Sequence, residues 1–183
     1  MRIIAGDLKG RRLKSLPKSK IRPTSDKVKG SIFNVLRGEV ENKMALDLFA
    51  GSGGLGLEAL SRGAKEVVFV DSNEQSVRVI KENLNILNFS DRGKVIKSDG
   101  ISFLKRFKKS GKKFQLIFCD PPYLKGIAQK VVNLLSELDS LEENGILVLE
   151  HHKKEIFQEV RNLILVKEKK FGDTVISFFI RKE

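Results

Sequence analysis

The chain has 183 residues, 40% hydrophobic and 32% charged, with a single cysteine and a formal net charge of +12. That length suits one domain able to bury its own core, and a lone cysteine, Cys119, excludes an internal disulfide and fits a reducing cytoplasm. No stretch approaches the roughly 20 apolar residues of a membrane span, and the opening MRIIAGDLKGRRL lacks the apolar run of a signal peptide, so a cytoplasmic protein is expected.

Positive charge is concentrated at the start. Residues 1–30 carry ten of the 35 Lys and Arg but two of the 23 Asp and Glu. Clustered cations predict a polyanionic partner, nucleic acid first; the bland alternative is a solubilising tail. Residues 2–5 and 11–13 read as short strands around Gly6-Asp7-Leu8-Lys9-Gly10, a small basic hairpin. Residues 16–23 are polar and basic, a linker. We therefore expect a basic N-terminal arm over 1–23 and a larger domain over 24–183.

Thr24 or Ser25 can cap a helix reaching about residue 37, with Val28, Ile32, Val35 and Leu36 on one face. Strands and helices then alternate. Strands are expected at 44–49, 66–70, 93–97, 115–119 and 145–150. Helices are expected at 53–62, closed by Gly63, and at 73–87, 101–107, 127–138 and 153–160. Residues 163–167 and 174–181 read as two strands joined through Phe171-Gly172-Asp173. This alternation implies an α/β fold: a mostly parallel sheet, helices on both faces and an antiparallel terminal hairpin. The basic run 105–113 reads as a solvated loop, His151 and His152 as surface residues, and Cys119 as a small buried hydrophobe.

Two stretches carry chemistry. The first is DLFAGSGGLGLEAL, residues 47–60. Gly51, Gly53 and Gly56 match G-x-G-x-x-G between a strand and a helix, and Asp71 follows twenty residues after Gly51 at the next strand's end. A turn needed only for chain geometry is the plain alternative. Asp47 discriminates among ligands, because an acid at that strand would repel a pyrophosphate. It would attract an amino group and a sulfonium, and S-adenosylmethionine has both. Asp71 can accept from two ribose hydroxyls, and Ser98-Asp99 ends the third strand within reach of an adenine amine.

The second is FCDPPYL, residues 118–124. Prolines cannot continue a central strand, and an acid at the mouth of an apolar strand is costly without a partner. Hydrogen bonds from an exocyclic amine to the Asp120 carboxylate and the Pro121 carbonyl would free the nitrogen lone pair for attack. The prolines fix that carbonyl, and the Tyr123 ring can stack on an unpaired base.

Asp47-x-Phe49-x-Gly51-x-Gly53, a later strand-end acid and Asp120-Pro121-Pro122-Tyr123 resemble the class I S-adenosylmethionine methyltransferases acting on exocyclic amines. With RIIAGDLKGRRL, RPTSDKVKGSIFNVL and FGDTVISFFI, the chain resembles the small-subunit rRNA guanine-N2 methyltransferase family called RsmD. The resemblance spans almost the whole chain, with RPTSDKV and DPPY its most specific parts. It departs at Gly30, where the family carries an acid. It implies a Rossmann-like fold and methyl transfer from S-adenosylmethionine to N2 of a guanine in 16S rRNA, leaving S-adenosylhomocysteine. The partner would be the small ribosomal subunit or its assembly intermediate, and the enzyme a monomer without a metal.

The resemblance implies catalytic roles for Asp120, Pro121, Pro122 and Tyr123. It implies cofactor contacts at Asp47, Phe49, Gly51, Gly53, Asp71, Ser72, Ser98 and Asp99. The charge of the basic arm offers Arg2, Lys9, Arg11, Arg12 and Arg22 as RNA contacts, with a solvated side chain the plain alternative for Arg22. DPPY alone does not choose the base, since DNA adenine-N6 methyltransferases also use it. However, about 40 residues precede the sheet, too few to read groove edges as sequence-specific DNA enzymes do. A non-catalytic RNA-binding assembly factor and a nicotinamide oxidoreductase are the rivals from other classes; no hydride-site pair such as Tyr-x-x-x-Lys is evident.

Overall fold

Ser25 opens the first helix as expected: its hydroxyl accepts from the Val28 N–H across the first turn of α1, Asp26–Val35. The computed structural model describes residues 1–16, 25–157, 160 and 162–182. Within them β1 (Met44–Leu48), α2 (Gly54–Ser61), β2 (Glu66–Asp71), α3 (Glu74–Ile86), β3 (Gly93–Lys97), α4 (Gly100–Phe107), β4 (Phe114–Cys119) and α5 (Ile127–Glu137) follow in turn. Then come β5 (Leu141–His152), β6 (Leu163–Phe171) and β7 (Thr174–Arg181). The seven strands form one sheet in the order β3-β2-β1-β4-β5-β7-β6. The first five are parallel, and β7 runs antiparallel to both its neighbours. This is the expected α/β fold.

Alternate residues of each strand serve opposite layers. Ala45, Val67, Phe69, Leu116, Phe118 and Val148 pack under α1, α2 and α3, while Leu46, Leu48, Val68, Val70, Ile117 and Leu147 pack under α4 and α5. The inner strands are apolar on both sides because both faces are covered. Gly56 lets α2 lie tight on this sheet: a Cβ there would come within 2.3 Å of the Phe69 ring.

Residues 1–16 sit against the domain. Arg2 and Arg12 form one antiparallel bridge, so the expected hairpin is present in minimal form. Ile3 and Leu13 are buried in the same core as α1 and α2. The hairpin backbone is tied to α2, where the Glu58 carboxylate accepts from the Ile4 and Ala5 N–H groups at 2.8 and 2.9 Å. Lys29 of α1, 1% exposed, closes on Glu58 at 3.3 Å and donates to the Arg2 carbonyl; Arg62 adds a third contact at 2.9 Å. Gly30 faces open space beside it.

Three expectations need correction. The proposed helix over 153–160 is absent from its described residues: Lys153 and Lys154 form a turn and 155–157 are irregular. The Lys153 N–H donates to the Asp173 carbonyl, pinning the segment to the β6–β7 turn, and the Glu155 N–H donates to the His152 carbonyl three residues back, closing a tight turn. His151 is not a surface residue. It is 3% exposed because β7, rather than solvent, covers that edge of β5. The basic run 105–113 begins as helix and continues as a 3-10 turn over Lys108–Ser110, with Phe107 stacked on Phe103 and Phe114.

Candidate active site

The carboxyl ends of the parallel strands converge on one side of the sheet, where open α/β sheets bind ligands. After β1 the chain turns sharply. Phe49 has φ +61°, a conformation costly for a bulky side chain, and its ring lies against Gly100, where a Cβ would meet it at 2.7 Å. Gly51 and Gly53 also take positive φ, 55° and 80°. The loop then enters α2, whose N-cap Gly53 offers no side chain.

Asp47 does the capping instead. It is 3% exposed, and its Oδ2 accepts from the Gly56 N–H at 2.8 Å. Burial pushes Asp47 up to about 7; the Gly56 bond opposes this and the neighbouring Asp71 adds to it. The folded chain therefore binds this proton more tightly than the unfolded chain. The stabilisation is whole below the ordinary carboxylate range and is lost as pH rises through about 7. Asp47→Asn should thus gain stability on the order of a few kcal/mol at pH 8 and almost none at pH 4. Denaturant unfolding at both pH values checks this, and an equal gain at both would sink it.

Asp71, at the end of β2, spans two backbones. Its Oδ2 accepts from the Gly51 N–H and its Oδ1 from the Asn73 N–H, both at 2.8 Å. Ser72 follows it, exposed. Beyond β3, the exposed Asp99 caps α4 through the Ser102 N–H at 2.9 Å, and Ser98 accepts from Arg106 at 2.6 Å. Asp47, Phe49, Gly51, Gly53, Asp71, Ser72, Ser98 and Asp99 therefore line successive strand ends of one rim. Asp47 and Asp71 also hold the glycine loop in shape, through Gly56 and Gly51, a duty that motif reading missed.

At the end of β4 the backbone leaves the sheet at Asp120, Pro121 and Pro122. The Asp120 carboxyl is held well above its ordinary value, first by burial and then by the charges of Glu150 and Asp47. Tyr123 is half-buried, and its hydroxyl donates to Glu150 Oε1 at 2.6 Å and meets Thr174 Oγ1 at 3.0 Å. Neither Glu150 nor Thr174 was singled out from the sequence as a site residue. The four residues Asp120–Tyr123 and the acids of the first three strand ends share one end of the sheet.

Of the expected RNA contacts, Lys9, Arg11 and Arg12 are exposed on the hairpin. Arg2 pairs with Asp26 at 3.0 Å, and Arg22 lies outside the described residues. The hairpin's first residue touches the glycine loop, with Met1 Sδ 3.7 Å from Ser52 Oγ. The tip of the hairpin, by contrast, lies at the other end of α2, where the Asp7 and Leu8 N–H groups donate to Ser61. Among the described residues, no group of three or more His, Cys, Asp and Glu could hold a metal ion, and no helix is long and apolar enough to cross a membrane.

A family model described as "Conserved hypothetical protein 95" matches residues 1–180. The Bacillus subtilis protein YlbH is 38% identical over all of both chains. "Ribosomal RNA small subunit methyltransferase D" of Haemophilus influenzae is 38% identical, covering 94% of this chain and 89% of that protein. A solved Escherichia coli structure superposes with a TM-score of 0.87 at 31% identity, covering 100% of this chain and 98% of that one.

Proposed function

The chain belongs to the family described as conserved hypothetical protein 95, the RsmD family, and from that premise we propose that it methylates N2 of a guanine in small-subunit rRNA using S-adenosylmethionine. The observation carrying the proposal is the Asp120–Tyr123 turn at the end of β4, beside a rim of strand-end acids and a glycine loop.

The rim suits a cationic nucleoside. Asp47, Asp71 and Asp99 place three acids at successive strand ends, which favours a cationic ligand over a pyrophosphate. The left-handed glycines keep side chains off the approach to α2. Asp71 and Asp99 would receive the hydroxyls and the adenine, and Asp47 would hold the loop. When bound, S-adenosylmethionine supplies a methyl group activated on a sulfonium. The chain's own residues do the rest. The Asp120 carboxylate and the Pro121 carbonyl accept the two amine N–H groups, turning the nitrogen lone pair toward the methyl. The Tyr123 ring covers the base. A carboxylate with raised proton affinity is also suited to take the proton that the methylated amine sheds.

Transfer of labelled methyl to small subunits from cells lacking this gene, to naked rRNA and to DNA, with digestion to nucleosides, tests the reading. N2-methylguanosine is expected; N6-methyladenine in DNA would overturn the substrate.

The hairpin cations predict a second result. Charge reversal at Lys9, Arg11 and Arg12 together should reduce the slope of log affinity against log salt by about 2 to 3. These side chains are exposed, so folding should be unaffected. An unchanged slope would make them a solubilising surface. Deleting the hairpin is the poorer test, because it strips Ile3 and Leu13 from the core.

A further inference from the structure

The FGDT turn, residues 171–174, has no place in the chemistry so far, yet it reaches the catalytic turn. Its parts have distinct duties. Phe171 packs against the core beneath α1 and α2. Gly172 takes φ +65°, which joins β6 to β7. Asp173 holds Lys153 twice: its carbonyl accepts the Lys153 N–H and its carboxylate the ammonium, each at 2.8 Å. That fixes the end of β5 against the turn. Thr174 pairs with His152 in register, and because β7 is antiparallel its first residue lies at the carboxyl end of the parallel strands. There its hydroxyl lies 3.0 Å from the Tyr123 hydroxyl, while Glu150, two residues before His152, accepts the hydrogen bond of that hydroxyl at 2.6 Å. The Tyr123 oxygen is thus gripped from two strands, and its ring meets His152 edge-on at 6.0 Å.

A ring meant only to stack needs no such grip, since an aromatic face is the same with or without a hydroxyl. Two directional bonds at the far end of the ring fix where that end sits, and because a phenol O–H prefers the ring plane, bonds in set directions also bias the ring's tilt. A base resting on that ring inherits the tilt, and so does the direction of its amine.

We propose that Glu150 and Thr174 are positioning residues: they hold the Tyr123 hydroxyl and thereby set the plane in which the target base meets Asp120 and Pro121. The inference rests on the reading of the site as a base-amine methyltransferase. Thr174→Val keeps shape and removes the hydroxyl, and Tyr123→Phe keeps the ring and removes its handle. Each should lower kcat about 10- to 100-fold, as small misplacements do, with the KM for S-adenosylmethionine unchanged. The double variant should be no worse than Tyr123→Phe alone, because both remove one constraint. Thr174→Ser should restore the rate. Losses that multiply, or a Thr174→Val variant with wild-type kcat, would overturn the proposal.

A readout independent of activity comes from composition. The chain has one tyrosine and no tryptophan, so tyrosinate absorbance reports Tyr123 alone. Its hydroxyl is held above the ordinary value by burial first and then by the bond to Glu150, while Thr174 opposes the rise. Glu150→Gln should lower the titration midpoint and Thr174→Val should raise it. Midpoints unmoved by both substitutions would overturn the grip even with methyl transfer intact. A wild-type chain that methylates no guanine while these shifts are present would refute the functional reading and leave the grip standing.

Discussion

Replacing Asp120 with alanine should leave cofactor binding within a few-fold and lower turnover by at least about 100-fold, the usual scale of one positioned polar group. The cofactor contacts proposed here lie on β1, β2 and β3, so the rim survives the change. What is lost is the proposed acceptor of the amine's hydrogen bond. Asp120→Asn sharpens the test, since it keeps the volume and removes the charge. In the wild type the carboxyl is held well above its ordinary value by burial and by Glu150 and Asp47, so it sheds its proton late. Turnover should therefore rise with pH through a range higher than that of an ordinary aspartate, as the accepting form becomes populated. In Asp120→Asn that limb should flatten. A normal rate in Asp120→Ala, or an unchanged pH limb in Asp120→Asn, would remove Asp120 from the chemistry.

The second large effect concerns stability. Glu58→Ala should destabilise the chain by about 3–5 kcal/mol, lowering Tm on the order of 10 °C. Glu58 is fully buried and satisfies four donors: Lys29, Arg62 and the backbone of Ile4 and Ala5. Lys29 is 1% exposed, and burial already lowers its proton affinity while the charge of Glu58 supports it. Without Glu58 its ammonium would be buried without a counter-ion, and the hairpin would lose its anchor. Lys29→Met should cost much less, because Glu58 keeps Arg62 and two N–H donors. Thermal unfolding of both variants decides this, and equal losses would mean that packing rather than charge sets the cost.

Local pattern carried most of the fold. The helix of residues 74–86 was legible from Val77, Ile80 and Leu84, and the strand before Asp120 from its unbroken apolar run. The failures share one physical cause, a partner distant in sequence. Residues 153–157 have a helix-compatible pattern, but the Lys153 N–H is taken by Asp173, and Ile156 stays 90% exposed. His151 looked like a surface residue because the insertion of β7 beside β5 is not written near it. Inside the fold its ring instead contacts Ser177 at 2.8 Å and Phe157 edge-on.

The site divides in the same way. Asp47, Asp71 and Asp120 announced themselves through glycine and proline spacing. Glu150 and Thr174 did not, since a strand acid and a strand threonine are ordinary until the sheet order brings them to Tyr123. Lys29 and Glu58 gave no signal at all, because a Lys and a Glu on helices read as solvated faces until both are found buried.

The strand order also has a consequence in time. β7 pairs with β5, and β6 lies outside β7. During synthesis the open side of β5 stays unpaired until residues 174–181 have been made. Up to that moment the nascent chain carries a bare apolar edge at Leu147 and Leu149, the kind of surface that invites wrong strand pairing. Tyr123 meanwhile waits for Thr174. The half that binds can thus mature before the half that reacts, and a chain that stalls late would be sticky and inert rather than partly active.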